Sequence, residues 1–281
     1  MGTYAITGAA SGMGRETAQR LRDNGHTIIG VDIKDTDIVA DLSTPDGRKE
    51  AAERVLTASG NRLDGAVLAA GLGPSPAPDR VRQIAAVNYF GVVELLIAWR
   101  AALAATEHAK VVVVGSNSST TIPAVPRRAV KALLAHNPGK ALRAVRLFGP
   151  AAPTMMYGAS KIAVSRWVRR HAALPEWAGS GVRLNALSPG AIMTPLLQEQ
   201  LSDPRQAKAV RSFPVPVGGF GDAGQMAEWM CFMLSDAAEF LCGSVIFVDG
   251  GTDAYFRSDD WPKALPVHRL PGYLRRFKGF H

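Results

Sequence analysis

The 281-residue sequence has few cysteines and no cluster with metal-ligand spacing. Cys231 and Cys242 are its two thiols, and their separation fits neither a disulfide framework nor a zinc site. Reduced thiols are typical of cytosolic proteins, so we expect a cytoplasmic location. The six histidines are scattered along the chain, and we therefore expect no bound metal.

The sequence also lacks a long apolar run and a strong excess of one charge. No run approaches the ~18 apolar residues of a membrane span, and the N-terminus has no basic start of a signal peptide. The net charge is +8, and residues 257–281 contribute half of it with six basic and two acidic side chains. The small remaining excess argues against a nucleic-acid-binding protein. Because 47% of the residues are hydrophobic and 20% charged, a sizeable core is expected.

Short apolar runs alternate with longer amphipathic stretches over residues 1–256. Most runs are rich in Val, Ile and Leu without strict alternation, which is typical of strands buried on both faces. The alternation predicts a single α/β domain with a doubly wound, parallel, seven-stranded sheet. The predicted strands are 3–7, 27–32, 37–40, 65–70, 110–114, 182–187 and 244–248, and the predicted helices lie near 13–24, 45–59, 79–105, 157–173 and 223–235.

Two segments interrupt this alternation. Residues 120–155 form a predicted helical insertion, in which a helix over 127–136 ends at Asn137-Pro138-Gly139. Its apolar residues suit either a lid or a subunit contact, and we favour a contact in a homodimer or homotetramer. Residues 257–281 form a basic C-terminal extension. It either packs on its own or a neighbouring subunit, which we favour, or binds an anionic membrane or nucleic acid.

A glycine-rich turn follows the first predicted strand and precedes a helix. Glycines in this stretch, Thr7 to Gly14, allow the backbone to approach a pyrophosphate, which the N–H groups of the helix attract. The second predicted strand ends at Asp32, 18 residues after Gly14. A carboxylate there accepts hydrogen bonds from ribose hydroxyls and repels a 2′-phosphate. The pattern therefore predicts NAD rather than NADP.

A tyrosine and a lysine, Tyr157 and Lys161, stand four residues apart on one face of a predicted helix. A phenol has a pKa near 10 and is a poor base at neutral pH. A nearby ammonium favours the phenolate, so we expect Lys161 to lower the pKa of Tyr157. Such a tyrosine can take a proton from an alcohol as hydride leaves the carbon.

Two further polar positions accompany this pair. Ser116 follows the fifth predicted strand and can hydrogen-bond a substrate oxygen, with Ser118 as the alternative position. Asn88 lies within the long predicted helix, where asparagine is a mediocre helix former. It is either a tolerated polar side chain or a carboxamide that widens the helix ladder to hold water near Lys161.

A Pro-Gly pair forces a turn at the end of the sixth predicted strand, the edge at which open α/β sheets bind ligands. Pro189 and Gly190 form this turn, and Ile192 and Thr194 follow it. A backbone group at Ile192 and the hydroxyl of Thr194 can fix a carboxamide.

Together these motifs, in this order, resemble the short-chain dehydrogenase/reductase family. TGAASGMG, YGASK, LSPGAIMT and VDGG stand in the family's order over about residues 1–255 outside the insertion. The resemblance implies a Rossmann fold and an NAD-dependent oxidoreductase acting on CH–OH donors. It implies a catalytic tetrad of Asn88, Ser116, Tyr157 and Lys161. The implied cofactor contacts are Gly8, Ser11, Gly12, Met13, Gly14, Asp32, Asp41, Leu42, Ala70, Gly71, Tyr157, Lys161, Pro189, Gly190, Ile192 and Thr194.

The sequence departs from the family pattern in two places. Leu68-Ala69-Ala70-Gly71 replaces Asn-Asn-Ala-Gly, and 41 positions separate Ser116 from Tyr157. Within the family, the sequence resembles the bacterial 3α-hydroxysteroid dehydrogenase/carbonyl reductase group in its long insertion and in the segments GHTIIGVDIKDTDIVADLSTPDGRKEA, LAAGLGP, VNYFG and VRLNALSPGAIMTPLLQ. That implies a secondary alcohol or ketone on a hydrophobic substrate, a hydroxysteroid first. Terpene alcohols, diketones and aryl carbinols are the alternatives, and a catalytically idle nucleotide-binding interaction protein is the rival class.

Overall fold

The computed structural model describes residues 1–202, 204–262 and 264–278. Its strands are β1 (Thr3–Thr7), β2 (Thr27–Asp32), β3 (Ile38–Val39), β4 (Gly65–Leu68), β5 (Lys110–Val114), β6 (Arg183–Pro189), β7 (Ile192–Met193), β8 (Gly221–Asp222) and β9 (Val245–Val248). Seven of them form one parallel sheet in the order β3-β2-β1-β4-β5-β6-β9. β7 and β8 pair separately. The prediction of a parallel seven-stranded sheet is confirmed.

Helices cover both faces of this sheet. They are α1 (Gly12–Asp23), α2 (Pro45–Ala58), α3 (Arg80–Ala85), α4 (Gly91–Ala104), α5 (Ser118–Thr121), α6 (Arg127–Leu134), α7 (Pro138–Arg146), α8 (Ala152–His171), α9 (Pro195–Ser202), α10 (Pro204–Arg211), α11 (Ala223–Leu234), α12 (Thr252–Phe256) and α13 (Leu270–Lys278). α1 and α11 cover one face with a core of their own. α2, α4 and α8 cover the other face, where the larger core also includes the insertion.

One helix is long and apolar enough to cross a membrane by length and composition. It is Arg80–Ala104, which joins α3 and α4 through a π-helical turn. Within the protein, 72% of its most apolar window is buried. This burial is what a core helix of a folded domain shows.

The insertion contains two helices where the sequence predicted one. The first helix, α6, ends before Asn137-Pro138-Gly139 as predicted. The same residues then begin a second helix, α7, because the Asn137 side chain accepts a hydrogen bond from the Lys140 N–H at 2.9 Å. Most apolar side chains of α6 and α7 pack into the chain's own core against α8. The reason for expecting a subunit to cover them therefore falls away, and the subunit contact itself stays a prediction.

Other boundaries also shift. The helix that carries Tyr157 begins at Ala152 and not at the tyrosine, since Pro153 fits its first turn. β3 shrinks to two residues, whereas β6 extends to Pro189. The short helices α9 and α10 follow β7 and have no counterpart in the prediction.

Candidate functional site

The glycine turn lies where the strand order reverses, between β1 and β4. Gly8 has a positive φ of 74°, and a Cβ there would stand 2.8 Å from the Ala70 backbone nitrogen. A Cβ at Gly14 would overlap the Gly8 carbonyl. Ser11 precedes α1 without capping it, so its side chain leaves the N–H groups of the first turn available. This end of the sheet is therefore shaped for close approach by an anion.

A crevice of about 360 Å³ runs along this turn. Asp32 lies in it, and its carboxylate accepts hydrogen bonds from the Ala10 and Ile33 N–H groups at 2.9 and 2.7 Å. The carboxylate thus fixes the glycine turn as well as facing the crevice. The other predicted cofactor residues that line it are Gly8, Ser11, Gly12, Met13, Gly14, Asp41, Leu42, Ala70, Gly71 and Thr194. These residues fit a dinucleotide.

An ion pair between a buried arginine and a partly exposed glutamate supports the far wall of the crevice, and no sequence motif indicated it. Arg48 is buried; its Nε donates to Glu94 at 2.6 Å, and a second guanidinium nitrogen donates to the Leu42 carbonyl at 3.1 Å. The peptide of Asp41 lies against Gly47, where a Cβ would overlap it. The wall at Asp41 and Leu42 is therefore held from behind by α2.

A second cavity of about 400 Å³ adjoins the crevice and contains the predicted reactive groups. Both spaces share Met13, Gly71, Leu72, Thr194 and Leu196 in their linings, so they are parts of one site. The second cavity holds Ser116, Tyr157, Lys161, Pro189, Gly190 and Ile192 from the predictions. Apolar side chains line much of the rest, namely Pro74, Ile122, Leu196, Leu197, Val210 and Phe213.

The electrostatics of the Tyr157–Lys161 pair differ from the prediction. Burial raises the pKa of Tyr157, and hydrogen bonding from Ser116 and Ser118 lowers it only in part. The Lys161 Nζ lies 5.9 Å from the centre of the tyrosine ring and donates to the Val114 carbonyl at 2.8 Å. Burial also lowers the pKa of Lys161 to about 8. The prediction that Lys161 lowers the pKa of Tyr157 is wrong, because desolvation by burial dominates and raises that pKa.

Both candidate serines lie beside the tyrosine. Ser116 accepts a hydrogen bond from the Ser118 N–H at 3.1 Å, and both side chains are buried. Each hydroxyl lies close enough to the phenol to lower the pKa of Tyr157 in part. The segment from Ser116 into the short helix α5 therefore brings two hydroxyls near the phenol, where the sequence indicated one or the other.

Asn88 occupies a π-helical turn, Ala86–Phe90, so the widened ladder considered for this position is present. Its side chain donates to the Leu72 carbonyl at 2.9 Å and accepts from the Leu72 N–H at 2.8 Å. A Cβ on Gly71 would lie 3.5 Å from the Asn88 Oδ1 and 3.9 Å from the Lys161 Nζ. The side chain fixes the loop after β4, where the usual asparagines are missing, while the role of water stays a prediction.

The Pro-Gly turn packs closely on the segment after β9. A Cβ on Gly190 would stand 2.7 Å from the Asp249 Cα, and the Asp249 carboxylate accepts from the Asp253 N–H at 2.8 Å. Thr194 sits above Gly12 at the start of α9, where its hydroxyl donates to the Ile192 carbonyl at 3.3 Å. α9 thereby covers both parts of the site. In the sequence, the two apolar residues that follow Thr194-Pro195 could have predicted that this segment covers the site.

Comparison with known proteins agrees with this geometry. Residues 141–253 match the family model described as enoyl-(acyl carrier protein) reductase. The chain is 38% identical over 257 residues to the 3α-hydroxysteroid dehydrogenase/carbonyl reductase of Comamonas testosteroni, covering 92% of this chain and 98% of that protein. It is 30% identical to the coniferyl-alcohol dehydrogenase of a Pseudomonas species, covering 88% and 94% of the two chains.

A solved structure also resembles the whole domain. The 3α-hydroxysteroid dehydrogenase from Pseudomonas sp. B-0831, crystallised with NADH, superposes with a TM-score of 0.84 at 41% sequence identity. The match covers 92% of this chain and 99% of the other.

Proposed function

This chain belongs to the short-chain dehydrogenase/reductase family, and we propose that it is the family's NAD(H)-dependent type, acting on a hydroxysteroid or its ketone. As a member it is an NAD(P)-dependent oxidoreductase that acts on CH–OH donors. One observation carries the proposal. Tyr157 lines an apolar cavity that shares part of its lining, including Met13 and Thr194, with the dinucleotide crevice.

Asp32 supports the choice of NAD over NADP. Its carboxylate lines the crevice beside Asp41 and is held by two backbone N–H groups. A 2′-phosphate placed near this carboxylate would meet like charge. The related enzyme from Pseudomonas sp. B-0831 was crystallised with NADH.

When bound, a nicotinamide would supply hydride transfer, and the residues that would hold it are Pro189, Gly190, Ile192 and Thr194; the protein supplies position and proton transfer. Ser116 and Ser118 orient the substrate oxygen at the Tyr157 hydroxyl. Tyr157 takes the alcohol proton during oxidation and returns it during reduction. Lys161, whose Nζ lies 5.9 Å from the centre of the tyrosine ring, tunes the phenol and holds the ribose, and Asn88 supports the relay by fixing the loop at Leu72.

The cofactor assignment is tested with Asp32→Asn, in which the amide can still accept a hydrogen bond. We expect the ratio of kcat/KM for NAD over NADP to fall at least tenfold. Asp23→Asn, an acid outside the crevice on α1, is the control and leaves the ratio unchanged. An unchanged ratio in Asp32→Asn would refute the assignment.

The catalytic assignment is tested with Tyr157→Phe. We expect turnover to fall by about 10²–10⁴, the usual contribution of a general acid–base, while NADH fluorescence titration shows retained binding. An idle nucleotide-binding protein would have no turnover to lose. Retained turnover in the variant would remove the tyrosine from the mechanism.

The substrate class is tested by following NADH formation with a panel of hydroxysteroids, terpene alcohols and aryl carbinols. Apolar residues around the cavity support a rigid hydrophobic substrate, and we expect the highest kcat/KM with a 3α-hydroxysteroid. The 30% identity to coniferyl-alcohol dehydrogenase makes an aryl carbinol the second candidate. Higher kcat/KM with aryl carbinols would replace the first candidate by the second.

A further inference from the structure

Positive charge is concentrated in one segment. Between Glu107 and Glu176 the sequence contains eleven lysines and arginines and no acidic residue. Residues 257–281 carry six basic and two acidic side chains. The rest of the chain holds fifteen basic and twenty-two acidic residues, so it is net negative. The overall charge of +8 is therefore distributed unevenly, with a positive excess in these two segments and a negative excess in the rest of the chain.

Nine of the eleven basic residues are exposed on the insertion and on α8. We call them the basic face: Arg127, Arg128, Lys131, Lys140, Arg143, Arg146, Arg166, Arg169 and Arg170. Among the described residues, no member forms a salt bridge. α2 shows the opposite pattern, because Lys49 and Arg54 there lie beside Glu53 and Glu50.

Part of the basic face, namely Arg127, Arg128, Arg166 and Arg170, includes charges placed unfavourably for local stability. Arg166 and Arg170 stand four residues apart on one helix, and like charges at this spacing destabilise a helix. Arg127 and Arg128 occupy the first turn of α6, where the helix dipole disfavours cations. α6 packs against α8, and the like charges of Arg170 and Arg127 add to burial in lowering the pKa of Arg166. The helix dipole favours the members in last turns, which are Lys131, Arg143, Arg146, Arg169 and Arg170. The repulsion among Arg127, Arg166 and Arg170 has no such local compensation, and an external anionic partner would offset it.

Apolar side chains protrude beside these charges. Leu147 follows directly after α7 and is 91% exposed, and Phe148 next to it is 37% exposed. Leu147 lies seven positions before Thr154, which lines the substrate cavity. Cationic side chains flanking protruding apolar ones suit the interface of an anionic bilayer, which offers both phosphate groups and acyl chains.

We propose that the basic face, with Leu147 and Phe148, binds reversibly to membranes that contain anionic phospholipids. The insertion then serves as a peripheral membrane contact and not as a subunit contact. This inference rests on charge and exposure and does not depend on which alcohol the enzyme oxidises.

The test is sedimentation of the full chain with vesicles of phosphatidylcholine alone or mixed with phosphatidylglycerol. We expect binding to the mixed vesicles only, weakening as salt is raised. Arg127→Gln/Arg166→Gln/Arg170→Gln should bind roughly a hundredfold more weakly, as expected for three basic residues near an anionic surface. The matched control, Arg15→Gln/Lys34→Gln/Lys49→Gln, removes three exposed charges elsewhere and should bind as wild type.

Further variants separate the alternatives. Leu147→Ser/Phe148→Ser should weaken binding even at low salt, and Arg269→Gln/Arg275→Gln/Arg276→Gln should leave most of the binding intact. Circular dichroism and turnover show whether each variant is folded. The proposal is overturned by equal binding to both vesicle types, by loss of binding in the control or extension variants alone, or by tighter binding to duplex DNA that depends on the same three arginines.

Discussion

Replacing Lys161 by methionine should stabilise the folded protein while it abolishes turnover. The lysine is buried, and its pKa falls from 10.5 to about 8 because burial penalises the ammonium. A pKa difference of one between the folded and unfolded chain corresponds to about 1.4 kcal/mol, so the charged lysine destabilises the folded state by roughly 3 kcal/mol. The lost hydrogen bond to the Val114 carbonyl offsets about 1–2 kcal/mol of this. The net gain expected for Lys161→Met at pH 7 is therefore about 1–2 kcal/mol.

The effect has a defined dependence on pH. Below about pH 8 the lysine is protonated in both the folded and the unfolded chain, so its full cost is present. Between the folded pKa of about 8 and the unfolded value near 10.5, the folded chain loses its proton first, and the cost disappears as pH rises. The stability difference between Lys161→Met and wild type should therefore shrink from pH 7 to pH 10.

Equilibrium urea unfolding without cofactor measures this difference. Lys110→Met is the matched control, because Lys110 is equally buried but pairs with Asp236 and Glu239 at 3.3 and 3.1 Å. It should give no such gain in the free energy of unfolding, because the ammonium that it removes is already paired with two carboxylates. If Lys161→Met were less stable than wild type at pH 7, or if its gain did not change with pH, the reasoning would be refuted.

Three other changes probe how the cofactor crevice is built. Gly14→Ala should raise the Kd for NADH about a hundredfold, because its Cβ would overlap the Gly8 carbonyl and displace the turn; isothermal titration with NADH measures this. Arg48→Met should raise KM for NAD several-fold at unchanged kcat, since it acts through the Leu42 carbonyl, and an equal fall in kcat would contradict this. Asn88→Ala should lower the free energy of unfolding by about 1–3 kcal/mol, because two hydrogen bonds to the loop after β4 are lost; an unchanged urea midpoint would contradict this.

The sequence determined the sheet and most of its covering helices by local means. Apolar runs of Val and Ile mark the central strands because strands covered on both faces must be apolar throughout. The backbone conformation of the turn requires glycine; Gly8, for example, has a positive φ, which side chains with a Cβ disfavour. The four-residue spacing of Tyr157 and Lys161 is enough to place both side chains on one helical face, because it is close to one turn of an α-helix.

The tertiary structure alone decided what surrounds these residues. The pKa of Tyr157 depends on burial and on hydroxyls some forty positions earlier in the chain, and neither can be read from spacing along one helix. The sequence likewise left open what covers the apolar residues of the insertion, whereas packing places them in the chain's own core. Local sequence patterns predict the backbone conformation and the direction in which a side chain points. How far a side chain is buried, and which groups it contacts, depend on which distant segments meet, and those contacts exist only once the chain has folded.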